Sequence, residues 1–231
     1  TPKDKRQQRL FGKNIEKAVH EAIELRQRLR EIPIRDIHDV EAMAKLDAQA
    51  KQKLNVPARI ADAFVGEMLA GGLSISGLES SLSALSIRSE QAVAGDVLAI
   101  GELIARSKLI LSVDLPSAKS ARRPFHWPLE FPEVFSRLNA GFDALVGNPP
   151  FLGGQRITDA FGDSYREFLV NFIVDGARGS ADFCAYFIAR YFSLSNRESI
   201  TGVIGTKTIS QGDTREVGLK RLIESGAKIV G

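Results

Sequence analysis

Between residues 142 and 151 the chain reads Phe-Asp-Ala-Leu-Val-Gly-Asn-Pro-Pro-Phe, a short apolar run that stops on two consecutive prolines. A run this short, bounded by Gly141 and Gly147, has the length and composition of a buried parallel strand. Pro149 and Pro150 remove two backbone donors and fix φ, so the strand must leave its sheet through a rigid turn whose carbonyls point outward.

Beyond this turn the alternation continues. Residues 163–174 and 181–194 read as helices, and Ile200–Thr206 as a second buried strand. Thr214 is placed to cap a helix running to Glu224, with Glu216 in its first turn and Gly226 as its stop. Ala227–Val230 then reads as the start of a third strand. Strands alternating with helices predict an α/β fold with a parallel sheet covered by helices. In such sheets ligands bind beyond the carboxyl ends of the strands, which is where Asn148 to Phe151 fall.

The preceding residues have a different texture. Leu10, Ile15, Ala18, Val19, Ala22, Ile23 and Leu29 recur at helical spacing, and Pro33 ends that helix. Asp36 or Asp39 can cap a second helix through Met43, Leu46 and Ala50. Pro57 opens a third, running to Met68 and stopped by Gly71 and Gly72, and a further helical stretch covers roughly residues 86–107. From Lys119 to Pro132, with Arg122, Arg123, Pro124 and Pro128, the chain is extended and turn-rich and cannot form a regular helix. Phe125, Trp127, Phe131 and Phe135 cluster there, as core packing at a domain edge or as a ligand surface. The chain is thus divided near residue 120, into a helical connector region over 1–120 and a second region over 121–231.

Composition excludes several classes. A formal charge of +3 and a pI near 9.0 are compatible with nucleic acid but too mild to argue for it. Cys184 is the single cysteine, so no intramolecular disulfide forms, and a reducing cytoplasm is the expected location. His20, His38 and His126 are scattered, with no metal-ligand spacing. The charged first residues are no signal peptide, and no apolar run has bilayer-spanning length.

The Asn148 side chain offers an amide oxygen and nitrogen beside the free proline carbonyls, a complement to an exocyclic amine with two N–H groups. Phe151 adds a flat face for stacking a base. The alternative is a tight turn in which Asn148 caps its own backbone. At average residue usage, Asn-Pro-Pro-Phe arises by chance in roughly one chain per thousand of this length.

Residues 143–151 resemble the catalytic motif of amino-methyltransferases that use S-adenosylmethionine. Phe125–Phe135, Gly153-Gly154-Gln155, Gly162–Arg166, Ser180–Asp182 and Gln211–Gly218 are similar to segments of large bacterial adenine-specific (N6) DNA methyltransferases. Those enzymes serve type IIG restriction–modification and related phage-defence systems. The resemblance is close over about residues 120–231 and loose before them. It implies an α/β fold, a partial Rossmann-like methyltransferase parallel sheet in the C-terminal half preceded by a helical region. It makes residues 121–231 the catalytic-motif half of a methyltransferase domain.

The same resemblance implies that Asn148, Pro149, Pro150 and Phe151 are catalytic. Asn148 and the Pro149 carbonyl would accept hydrogen bonds from the adenine N6 amine and face the S-adenosylmethionine cofactor. Phe151 would stack on an adenine flipped out of double-stranded DNA. Thr206, Lys207 and Thr208 would line the base pocket or touch phosphate. Gln211–Arg215 reaches DNA or forms a solvated loop, and Arg156, Arg166 and Arg178 are phosphate contacts or merely exposed. Asp182 and Tyr186 match a helix packed beside the catalytic strand, in a core role, a supporting role or ligand contact. Cytosine C5 methylation needs a thiolate, and Cys184, in an apolar helix, reads as core.

The family's glycine-rich cofactor loop has no counterpart, and no acidic residue is identifiable as the cofactor's ribose partner. The chain is therefore expected to be an internal piece, with missing flanking parts as its partners, and to bind cofactor poorly on its own. Two other readings stay open. An N5-glutamine or guanine-N2 methyltransferase presents an amine to the same kind of turn. A non-catalytic DNA-binding or assembly module would keep the turn as a relic.

Overall fold

The computed structural model describes residues 2–70, 75–115 and 119–230. Two compact units emerge. One is built from the described parts of Thr1–Glu67, Ser74–Leu111 and Ala121–Ser136, the other from those of Met68–Leu73, Ser112–Ser120 and Arg137–Gly231.

The first unit is helical. Helices α1 (Pro2–Glu31) and α2 (Ile37–Lys53) bury Ala22, Ala50 and Leu54 between them, with Val19, Leu25 and Leu129 alongside. Pro33 ends α1 as its sequence predicts, and Asp36 caps α2 by accepting from the His38 and Asp39 amides. Helix α3 (Asn55–Ala70) places Ile60 and Ala63 in a second core with Leu85, Ala92, Ala99 and Leu103. Pro57 stands in its first turn, and the stop expected at Gly71 and Gly72 lies outside the described residues.

The single helical stretch expected over 86–107 is two helices, α4 (Ile75–Val93) and α5 (Val97–Ile110). They break at Ala94-Gly95-Asp96, where the Asp96 carboxylate accepts from the Leu98 and Ala99 amides and starts α5 afresh. The Glu67 carboxylate, buried on α3, is neutralised by Arg106 of α5.

The proline-rich stretch holds two single helical turns, α6 (Trp127–Glu130) and α7 (Pro132–Phe135), each with proline in its first positions. His126 lies 2.8 Å from Asp62, and Arg26 and Arg30 of α1 pair with Glu133. Trp127 stacks on Phe131 at 5.9 Å and meets Phe125 edge-on at 4.8 Å.

The second unit is α/β. Strand β1 (Phe142–Gly147) pairs in parallel with β2 (Ser195–Val203), Ala144 opposite Ile200 and Gly147 opposite Val203. The register jumps between Phe142, opposite Ser195, and Ala144. Between the strands run α8 (Gly154–Phe161), α9 (Asp163–Phe168) with a wider π turn over Leu169–Ile173, and α10 (Phe183–Leu194). Their core is Ile157, Leu169, Val174, Ala181, Phe183, Ala185, Tyr186 and Val217.

Beyond β2 come a 3-10 turn (Lys207–Ser210) and a continuous helical segment, α11 (Gly212–Thr214), a π turn over Arg215–Lys220 and α12 (Arg221–Glu224). Gly226, at φ 96°, stops that segment as its sequence predicts, and the Ala227 amide reaches back to the Leu222 carbonyl.

The structure corrects three further expectations in the second unit. Thr214 does not cap the last helix: the helical segment already begins at Gly212, and the Thr214 hydroxyl accepts instead from the Asp182 amide. The second strand starts earlier than expected, at Ser195, and ends at Val203, because the chain turns into the Lys207–Ser210 helix. Ala227–Val230 is not a strand: it has no ladder partner among the described residues, and Ile229 and Val230 are exposed.

The strands are also less buried than their composition implies. Aligned residues in a parallel pair share a face, so Ala144, Val146, Ile200 and Gly202 form one side of the ladder. That side is bare, with Val146 88% and Ile200 74% exposed. Gly147, on the other side, meets Tyr191 of α10.

Candidate functional site

The turn after β1 is held on three sides. The Gly147 carbonyl accepts from the Ile204 amide at 3.0 Å, carrying the ladder one step past β2. Beneath it, Tyr191 packs so tightly that a Cβ on Gly147 would lie 2.6 Å from the phenolic oxygen. Only glycine lets strand and helix approach this closely.

Residues 148–151 then alternate in exposure. Asn148 is exposed, Pro149 is fully buried, Pro150 is exposed and Phe151 is 43% exposed. Pro149 thus pins the turn into the protein and leaves the Asn148 amide and the Phe151 ring facing outward. Among the described residues, none hydrogen-bonds the Asn148 side chain.

The exit of the turn is fixed by the start of α10. Leu152 gives its carbonyl to the Phe183 amide at 2.8 Å and aims its own N–H at the Asp182 carboxylate at a long 3.4 Å. Asp182 caps α10 through the Cys184 amide at 3.0 Å. Gly154, the first residue of α8, lies against the backbone of Ser180 and Ala181, where a Cβ would come within 2.5 Å of the Ser180 carbonyl carbon.

Thr206, Lys207 and Thr208 lie just past the end of β2, so the fold brings them to the same carboxyl edge of the sheet as Asn148–Phe151. All three are exposed, and the two threonine hydroxyls bond each other. The three arginines separate. Arg178 forms a two-pronged pair with Glu167, and Arg166 donates to the Gly179 carbonyl. Arg156 is exposed on α8.

Asp182 and Tyr186 both sit in α10's packing. Tyr186 is 1% exposed, its hydroxyl has no hydrogen-bond partner among the described residues, and burial pushes its ionisation up. Cys184 is fully buried, and burial reinforced by the Asp182 carboxylate pushes its thiol up to about 12. No thiolate is available there at neutral pH.

At the opposite, amino end of the strands, Leu138–Ala140 and Ser195–Arg197 line a shallow cleft of about 430 Å³. Its floor is structural: Asn196 donates to Asp143 at 2.6 Å, and the Arg137 guanidinium, then Asn196, hold the Asp143 carboxyl below its ordinary range. Its lining holds Asn139, Asn196 and Arg197 but no aromatic ring, whereas the carboxyl edge collects an exposed amide, an aromatic ring and a cation.

Tyr191 and the Leu152–Phe183 tie are not legible in the sequence pattern. Gly147 closing an apolar strand is the available signal for Tyr191, since a glycine there marks close backbone approach.

Among the described residues, no group of histidine, cysteine, aspartate or glutamate is arranged to hold a metal ion, and no helix is long and apolar enough to cross a membrane. Residues 100–225, more than half of the chain, match the family model described as Eco57I restriction-modification methylase. No curated protein and no solved structure matches the chain.

Proposed function

The chain belongs to the Eco57I restriction-modification methylase family, and from that premise we propose that it takes part in methylating the N6 amine of adenine in DNA. One observation carries this reading: an exposed Asn148 amide, bonded by no described residue, stands at the carboxyl end of a parallel strand, followed by a buried proline and a half-exposed aromatic ring.

An amide oxygen and a proline carbonyl both accept hydrogen bonds and donate none. Asn148 Oδ1 takes one N–H of the adenine amine, and the Pro149 carbonyl takes the other once the turn shifts to uncover Pro149, which is fully buried in this structure. Drawing on both N–H groups enriches the nitrogen and sets its lone pair out of the base plane. Phe151 stacks on the extruded base, a contact worth about 1–3 kcal/mol. Double-stranded DNA supplies that base, flipped out of the stack.

The donor set fits a methyl-transfer chemistry that needs no nucleophile from the protein. When bound, S-adenosylmethionine supplies a methyl group on a positively charged sulfur. Asn148 and Pro149 are the residues of this chain that would face it. Catalysis then rests on positioning and polarisation. Thr206, Lys207 and Thr208, at the same edge, contact the base or its phosphates. The sheet is read as part of a Rossmann-like methyltransferase domain, with residues 121–231 carrying the catalytic motif.

The test is transfer of label from S-adenosylmethionine to unmethylated DNA, comparing the full parent protein with its Asn148→Ala form. Label is expected in N6-methyladenine, falling about 10²–10³-fold in the variant, the loss typical of removing one group that stabilises a transition state. Label in another base or in protein, or transfer untouched by the substitution, overturns the reading.

A further inference from the structure

Four segments that lie apart in the chain meet directly behind the turn. Leu152–Gly154 leaves it, Gly179–Asp182 leads into α10, Asp213 and Thr214 lie in the first turn of the last helical segment, and Arg166 lies in the last turn of α9. Every link between them involves the Gly179–Asp182 stretch or the residue after it. The Ser180 amide donates to the Asp213 carboxylate, and the Asp182 amide donates to the Thr214 hydroxyl at 3.0 Å. Arg166 donates to the Gly179 carbonyl, and Gly154 packs on Ser180 and Ala181. Leu152 is gripped at both its polar atoms, by the Phe183 amide and the Asp182 carboxylate.

We infer that Asp182 is a positioning residue for the Asn148–Phe151 turn. It touches neither the base nor the cofactor. Its carboxylate has two donors to satisfy, the Cys184 amide at 3.0 Å and the Leu152 amide at 3.4 Å, while its own amide holds Thr214. One residue therefore sets the helix that carries Tyr191 beneath Gly147, the exit of the turn one residue past Phe151, and the segment that comes after Lys207. Any slack at Asp182 reaches the turn from below through α10 and from its far end through Leu152. The inference rests on the methyl-transfer reading for its functional consequence, but the physical link from Asp182 to Leu152 does not.

The comparison is between Asp182→Ala and Asp182→Asn. Asparagine keeps an oxygen that can accept from both amides, and alanine removes it. The first readout is amide hydrogen exchange at Leu152 and at Asn148 and Phe151, the residues of the turn that carry an amide hydrogen. Exchange at Leu152 is expected to quicken about tenfold or more in the alanine form and to return close to wild type in the asparagine form. The second readout is methyl transfer to DNA, where kcat should fall about tenfold to a hundredfold in the alanine form, as for a displacement of about 1 Å. KM for DNA and cofactor should stay within about twofold.

Equal exchange in wild type and alanine forms overturns the inference, as does a rise in KM that accounts for the whole loss, or an asparagine form as impaired as alanine. If the alanine form does not fold, the asparagine form together with Thr214→Val decides it. Faster exchange at Leu152 in Thr214→Val supports the link, and unchanged exchange in that variant removes it. A full parent protein that transfers no methyl group would sink the proposed function, while the exchange data would still rule on Asp182.

Discussion

Cys184 and Asn148 show how far residue identity alone can be taken. Composition and neighbours assign one to a core helix and the other to a turn, and the structure places them there. A cysteine in an apolar helix is normally inert because burial disfavours the thiolate. Here the Asp182 carboxylate adds a second penalty, and the thiol sits at about 12. With an unfolded value near 8.5, the thiolate fraction at pH 8 is lower in the native protein by on the order of 10³. Iodoacetamide at pH 8 should therefore label the folded chain at least about a hundredfold more slowly than the chain in urea. Comparable rates would mean that Cys184 is reached in the native state. Thr214 marks the limit of this kind of reading. Its hydroxyl has the position of a local cap, but Asp182 claims it from far along the chain, and no local pattern encodes that partner.

At the scale of elements, the signals with a local mechanism are legible. Pro33 ends α1, Asp36 caps α2 and Gly226 stops the last helical segment, each by chemistry within a few residues. Asp96 is an equally local signal, since a glycine followed by an aspartate is a stop followed by a start, yet apolar periodicity runs through it and hides the break between α4 and α5. Replacing Asp96 tests which signal governs. Its carboxylate accepts from two amides, so Asp96→Ala should cost about 1 kcal/mol in urea unfolding, and Asp96→Asn only a few tenths, because asparagine caps as well. Equal losses in the two variants would show that the charge, not the cap, matters at this position. The strands are recognisable as elements in the sequence, but their exposure is not. A short apolar run signals burial on both sides only when a sheet is wide and covered, and among the described residues this sheet has two strands and one side of its ladder open.

The turn that carries the proposed chemistry is legible because it is a contiguous motif, whereas its support is assembled from parts of the chain that meet only in the folded unit. The same distinction explains the bare sheet face. Val146 and Ile200 are as apolar as core residues, and their composition makes β1 and β2 read as buried, but they touch no core, while Gly147 on the other side is locked against Tyr191. Stability should therefore be lopsided across a single pair of strands. Replacing Val146 and Ile200 together by threonine removes apolar surface that is already in water, so the double variant should unfold within about 0.5 kcal/mol of wild type. Replacing Gly147 by alanine forces a methyl group into the Tyr191 ring and should cost about 1–3 kcal/mol, the usual penalty for overpacking. Urea unfolding followed by circular dichroism measures both. Should the threonine pair instead cost about 2 kcal/mol or more, well beyond the usual surface range, the face is covered in solution, and its occupant would have to be sought among whatever co-purifies with the chain. Should Gly147→Ala be silent, Tyr191 has room to move away, and the turn above it is less rigid than its two prolines imply.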